Sequence, residues 1–185
     1  MSTKFSKVER RALNYLFLPF GIGGMAIARR FPELRDQLGV NNGTFGTLLS
    51  LGGIGSLLGF ILVGNWVHSY GVRPIVTFGS TGLFASLALY PHMHNANYFL
   101  LLNIFASFCW TSFHIANNAQ AIHRQEEVGE LILPKLHGLW SLGALVTSLV
   151  AIVITPFVTL CWHIGVTVFV MWLFTMYGIV KSTPF

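Results

Sequence analysis

Between Asn103 and Ser148 the chain reads Cys109-Trp-Thr-Ser-Phe-His-Ile-Ala-Asn-Asn118 and then Leu136-His-Gly-Leu-Trp-Ser-Leu-Gly143. Both segments are apolar enough to enter a bilayer, and both are seeded with polar side chains. On the first, Asn103, Ser107, Thr111, His114 and Asn118 recur at steps of three and four residues, which a helix brings onto one face. On the second, His137, Ser141 and Ser148 are spaced by four and seven and share a stripe in the same way. A polar stripe on a membrane helix is costly against lipid, so it is expected to face a protein interior or a watery cavity. Two such helices joined by a short charged loop read as one wall of a solute pathway.

The rest of the chain fits the same medium. It is 54% hydrophobic and only 9% charged, with a mean hydropathy of +0.65, whereas soluble domains carry about 25% charged residues. No Asp, Glu, Lys or Arg lies between Asp36 and Arg73, between Arg73 and Arg124, or between Lys135 and Lys181. Each gap holds one or two spans of roughly 20 residues. The expectation is an all-α membrane protein of six transmembrane helices, near 11–28, 45–67, 74–89, 98–122, 135–154 and 157–180, with no separate soluble domain. The basic start followed by an apolar run has no small-residue cleavage site, so it reads as an uncleaved first span.

The net charge of +5 is not a nucleic-acid signature, because the basic residues sit at segment ends and form no stripe with interleaved aromatics. They read as topology signals. With a cytoplasmic N-terminus, Lys4, Lys7, Arg10, Arg11, Arg73, Arg124, Lys135 and Lys181 lie inside, and Arg29, Arg30 and Arg35 outside. The positive-inside rule then places both termini in the cytoplasm. Cys109 and Cys161 lack a metal or disulfide spacing, and His92 and His94 have no third ligand, so neither a metal nor another cofactor is expected. No Gly-x-Ser-x-Gly elbow occurs and the acids sit near segment ends, which disfavours an enzyme. Gly52, Gly55 and Gly59 share one face of the second span, and small residues at that spacing let helix backbones approach closely in lipid.

Two motifs carry a family resemblance. His114-Ile-Ala-Asn-Asn-Ala-Gln-Ala121, followed by Pro134-Lys-Leu-His-Gly-Leu-Trp-Ser-Leu-Gly-Ala144, resembles helices 4 and 5 of major facilitator superfamily transporters, in particular the bacterial fucose-permease-like branch. Arg30-Phe-Pro-Glu-Leu34 resembles the Arg-x-Pro segment after helix 1 of that branch. The turn Gly64-Asn-Trp-Val-His-Ser-Tyr-Gly-Val-Arg73 resembles the loop between helices 2 and 3, where the usual order is Gly-x-x-x-Asp-Arg-x-Gly-Arg. Gly64, Gly71 and Arg73 match that gating loop, while His68 and Ser69 replace its acid and base. Members usually carry an acidic residue near the position of His114.

The resemblance implies the N-terminal six-helix half of a facilitator in a bacterial inner membrane. It further implies alternating access to a small polar solute, such as a sugar, with proton coupling in view. As the chain reaches only six spans, a truncated or split product pairing with a second six-helix half or with itself is expected. The competing reading is a six-helix membrane scaffold without transport. Candidate pathway residues are Asn14, Asn103, Ser107, Thr111, His114, Asn118, His137, Trp140 and Ser141. His114 contacts solute or exchanges a proton in one reading, and is a neutral hydrogen-bonded histidine between helices in the other. The Asn118 amide serves a hydroxylated solute or glues two helices. Trp140 stacks on a sugar face or anchors the interface. The two three-span segments have similar lengths but no residue-level match, which leaves an internal repeat open.

Overall fold

The computed structural model describes residues 6–182, and among these every regular element is helical. Eight α-helices follow in order: α1 (Lys7–Met25), α2 (Phe31–Leu38), α3 (Asn42–Leu51), α4 (Gly53–Tyr70), α5 (Val72–Leu89), α6 (Ala96–Val128), α7 (Leu133–Ile154) and α8 (Leu160–Lys181). Single 3-10 turns occur at Ala28–Arg30 and Tyr90–His92. Five segments are long and apolar enough to cross a membrane: Asn42–Tyr70, Val72–His92, Ala96–Val128, Leu133–Ile154 and Leu160–Lys181. The expected first span is not among them. Helix α1 carries Lys7, Glu9, Arg10 and Arg11 in its first turns and has only a short apolar remainder. That remainder is buried instead, with Leu13, Leu16, Phe17 and Phe20 at the centre of the bundle.

Other boundaries also move. The charged connection near residues 29–42 is itself structured: Phe31, Leu34 and Leu38 fall at helical spacing, Glu33 sits in the first turn and Gly39 ends α2 in the left-handed region at φ 65°. The second span breaks at Gly52 into α3 and α4. Helix α6 continues to Val128, past the expected end near 122, because its polar extension is held by side chains. Arg124 bonds to Glu9 of α1 and to Glu127, and His123 lies 3.3 Å from Glu127.

Packing follows a simple pattern. Helix α1 runs along α7 and α8, α6 runs along α4 and α5, and α5 meets α8. Exchanging α1, α4 and α5 for α6, α7 and α8 leaves this pattern unchanged, so the helices pair as two related groups of three. Glycine sets the closeness of these contacts. A methyl group added at Gly55 would overlap the Ile104 carbonyl oxygen of α6 and sit 2.8 Å from its carbon; one at Gly143 would sit 2.6 Å from the Leu18 carbonyl oxygen of α1. Backbones this near replace the apolar driving force that helices lack in lipid with close van der Waals packing.

The outer faces are apolar. Leu57 and Ile61 on α4, Leu145, Leu149 and Val153 on α7 and Trp162 and Phe169 on α8 are all exposed. Such continuous apolar surface would drive aggregation in water but is the proper surface toward hydrocarbon. Together with the long apolar helices, it defines a multi-pass membrane protein.

Candidate functional site

Three stripe residues of α6 come together with α4 at one cavity. Ser56, Phe60, Trp110, Thr111, His114, Ile115 and Asn118 line a space of about 370 Å³. No Asp, Glu, Lys or Arg borders it. Helix α4 can present Ser56 and Phe60 there because Gly55, Gly59 and Val63, at four-residue steps, form its buried stripe against α6. Thr111 packs directly on Gly59. On the other side of Trp110 lies a smaller cavity of about 140 Å³, bordered by Gly24, Ile27, Phe31, Tyr90, Asn103 and Ser107 among others. Trp110 lines both.

His114 is half-buried and surrounded by rings. Phe20 of α1 meets it edge-on at 5.1 Å, Trp110 lies 5.3 Å away and Trp140 of α7 6.4 Å away. Phe20 is in turn stacked on Phe113 at 4.0 Å, so three helices fix the imidazole's place. Two polar atoms near this cluster lack any hydrogen-bond partner in the protein: Asn118 Oδ1, an acceptor, and Trp140 Nε1, a donor. Buried groups of this kind normally have partners, because an unmade bond costs about 1–3 kcal/mol. Asn118 lines the cavity, so its unpaired acceptor is an open valence there, while Trp140 joins the cluster through its ring contact with His114.

The remaining pathway candidates are placed differently. Asn103 is buried, and its amide nitrogen donates to the Leu48 and Leu49 carbonyl oxygens at 3.0 and 3.2 Å while its oxygen accepts from the Tyr90 hydroxyl at 2.9 Å. Gly52 N–H bonds back to Leu49 at the α3–α4 break, so Asn103 serves carbonyls beside an interrupted helix. Ser107 is half-buried; its carbonyl oxygen lies 3.5 Å from the Ser56 hydroxyl, and its Oγ packs against Gly52. His137 meets Phe17 edge-on at 5.5 Å, and Ser141 is exposed on α7. Asn14 lies apart, in a cavity of about 320 Å³ rimmed by Arg10, Glu130 and Lys135.

In the candidate gating turn, Gly64 is exposed with open space around it, and Gly71 turns the chain at φ 80° between α4 and α5. Arg73 reaches the last turn of α8, donating to the Ile179 and Val180 carbonyl oxygens at 3.1 and 2.9 Å. It thereby satisfies carbonyls that a helix end leaves open and complements its partial negative charge. Among the described residues no group of three or more His, Cys, Asp and Glu is arranged to hold a metal.

Sequence reading misses several neighbours of the cavity. Trp110 lies on the same stripe, four residues before His114, but its apolar ring hides it from a search for polar groups. Ser56 follows Gly52 by one helical turn. Asn117 does not line the cavity; it is 2% exposed with an unpartnered Oδ1 and points about 100° away from Asn118 round the helix.

A helical membrane bundle with a charge-free polar cavity is the class these features define. Over 131 residues, 70% of the chain, the sequence is 29% identical to an uncharacterized MFS-type transporter of Yersinia pestis, of which the match covers 34%. It is 24% identical over 132 residues, 71% of the chain, to an uncharacterized transporter of Sinorhizobium fredii, of which 35% is covered. The chain thus spans about a third of the length of the curated relatives it matches. No family profile matches the chain. No solved structure matches it.

Proposed function

We propose that the chain is a six-helix unit of a facilitator-type transporter, with α1 as its sixth span, and that it moves a small uncharged polar solute by alternating access. The carrying observation is a pair of unpartnered polar atoms around His114: Asn118 Oδ1, on a residue that lines a cavity with no charged side chain, and Trp140 Nε1, on the ring against His114. A hydroxylated ring such as a sugar offers donors and acceptors to both and an apolar face to Trp110. Thr111 and His114 complete the polar wall.

The unit works with a second six-helix unit or a second copy. The relatives' greater length supports this, as solute sites of such transporters lie between two moving groups of helices. The bilayer is the bacterial inner membrane, with the end bearing Lys7, Arg10, Arg11, Arg73, Arg124, Lys135 and Lys181 in the cytoplasm and the end bearing Arg29, Arg30 and Arg35 outside. Lys4 lies outside the described residues. Arg73, Gly64 and Gly71 form the inner gating turn.

Tryptophan fluorescence tests this reading. The protein in lipid nanodiscs is titrated with neutral sugars and polyols and with charged analogues of similar size. Saturable quenching by a neutral hydroxylated solute is expected, weakened about tenfold in Asn118→Ala through loss of one hydrogen bond to a buried acceptor. Response to charged analogues alone, or equal affinity in Asn118→Ala, contradicts it.

A further inference from the structure

The largest fully buried side chain among the described residues is a cation that the cavity does not use. Arg30, 1% exposed, sits in the turn after α1. Its Nε donates to His163 Nδ1 of α8 at 3.0 Å, Nη1 to Glu33 at 2.6 Å and Nη2 to the Val158 carbonyl oxygen at 2.5 Å. One guanidinium thus ties the end of α1, the start of α2, the α7–α8 connection and the first turn of α8. His163 itself is only 4% exposed.

The chemistry of this contact is one-sided. Guanidinium has donors only, so the imidazole nitrogen facing it must carry a lone pair. The bond therefore exists only with neutral His163. A second proton converts the acceptor into a donor and sets two cations against each other in a buried place. The ionisable groups facing His163 are Arg30 and Glu33. From the other elements packed against α8, the turn at Tyr90–His92 brings Tyr90, whose hydroxyl is committed to Asn103, and the exposed His92. Glu33, the one acid near the pair among the described residues, is 42% exposed and bonded to Arg30.

We propose that the Arg30–His163 contact is a proton-operated latch, in which protonation of His163 frees the Ala28–Arg30 turn and the start of α2 from α8. The contact holds while His163 is neutral and is lost once it takes up a proton. Ile27 and Phe31, on either side of this turn, border the smaller cavity beyond Trp110. Release would loosen that wall, and on the transport reading above it would tune access to the solute site from this end. The release itself does not depend on that reading.

Hydrogen exchange of the full chain in nanodiscs, without solute, separates the two. Peptides covering 26–34 and 155–164 are compared from about pH 8 down to about pH 4, corrected for intrinsic rates. Exchange about tenfold faster at the acid pH is expected for the wild type, the scale of losing a hydrogen bond to a charged group. His163→Asn, which keeps an acceptor that does not titrate, should exchange slowly at both. His163→Phe, with no acceptor, should exchange fast at both; if it does not fold, the other two proteins decide. Wild-type exchange that ignores pH, or an acid acceleration retained in His163→Asn, overturns the latch.

Discussion

Replacing Gly55 by leucine is expected to destabilise the bundle by about 3 kcal/mol or more, at or beyond the upper end for overpacked cores. A side chain there meets the Ile104 carbonyl and the Phe108 amide nitrogen, backbone atoms that cannot swing aside as a side-chain end can. The two helices must separate, and α4 has little else buried to hold it, only Gly59 and Val63 besides. Gly53→Leu is the matched control, since that position on the same helix has nothing within 4 Å. Thermal unfolding in detergent should show a large fall for Gly55→Leu and Gly59→Leu and little change for Gly53→Leu. Equal midpoints for all three would remove the close α4–α6 contact from the account.

Asn103→Leu should be nearly as damaging, for an electrostatic reason. It leaves the Leu48 carbonyl oxygen without its side-chain donor and the Tyr90 hydroxyl without its acceptor, while the Leu49 carbonyl oxygen keeps the Gly52 N–H at the α3–α4 break. Orphaning buried polar groups costs about 1–3 kcal/mol each, so a total loss of roughly 2–5 kcal/mol is expected. In lipid the Leu48 carbonyl has no water to turn to. Asn103→Asp keeps the acceptor for Tyr90 but loses the amide donor, and should fall between wild type and leucine. Protease sensitivity at residues 48–54 reads the local opening. Unchanged cleavage in Asn103→Leu would show that the break is held some other way.

What the sequence discloses depends on how far apart the cooperating residues are. The helical character and the shared face of Thr111, His114 and Asn118 are legible because the helix period itself aligns them. The small-residue face at Gly55 and Gly59 is legible for the same reason. The partners across helices are not: Arg30 and His163 stand 133 residues apart, and nothing local marks either as the other's neighbour. Arg30 reads as a topology signal until its burial is seen. Asn103 belongs to the polar stripe by spacing, yet the fold commits it to backbone carbonyls of α3, which only the Gly52 break leaves available. Helix α1 is the reverse case. The sequence reads as a first span near 11–28, but the helix begins at Lys7 with four charged residues in its first turns, and its apolar part is buried against α7 and α8.

Cysteine accessibility across the α4–α6 cleft tests the central claim most directly. In a background lacking Cys109 and Cys161, single cysteines are placed at Ser56, His114 and Asn118, and for comparison at the outward-facing Leu57, Ile61 and Leu149. Each protein in liposomes is offered a small aqueous thiol reagent and a lipid-dissolved one. Aqueous labelling is expected at 56, 114 and 118, reduced by the neutral solute that quenches tryptophan, and lipid-phase labelling at 57, 61 and 149. Lipid-phase labelling at 114 and 118, with no aqueous reaction there, would contradict it.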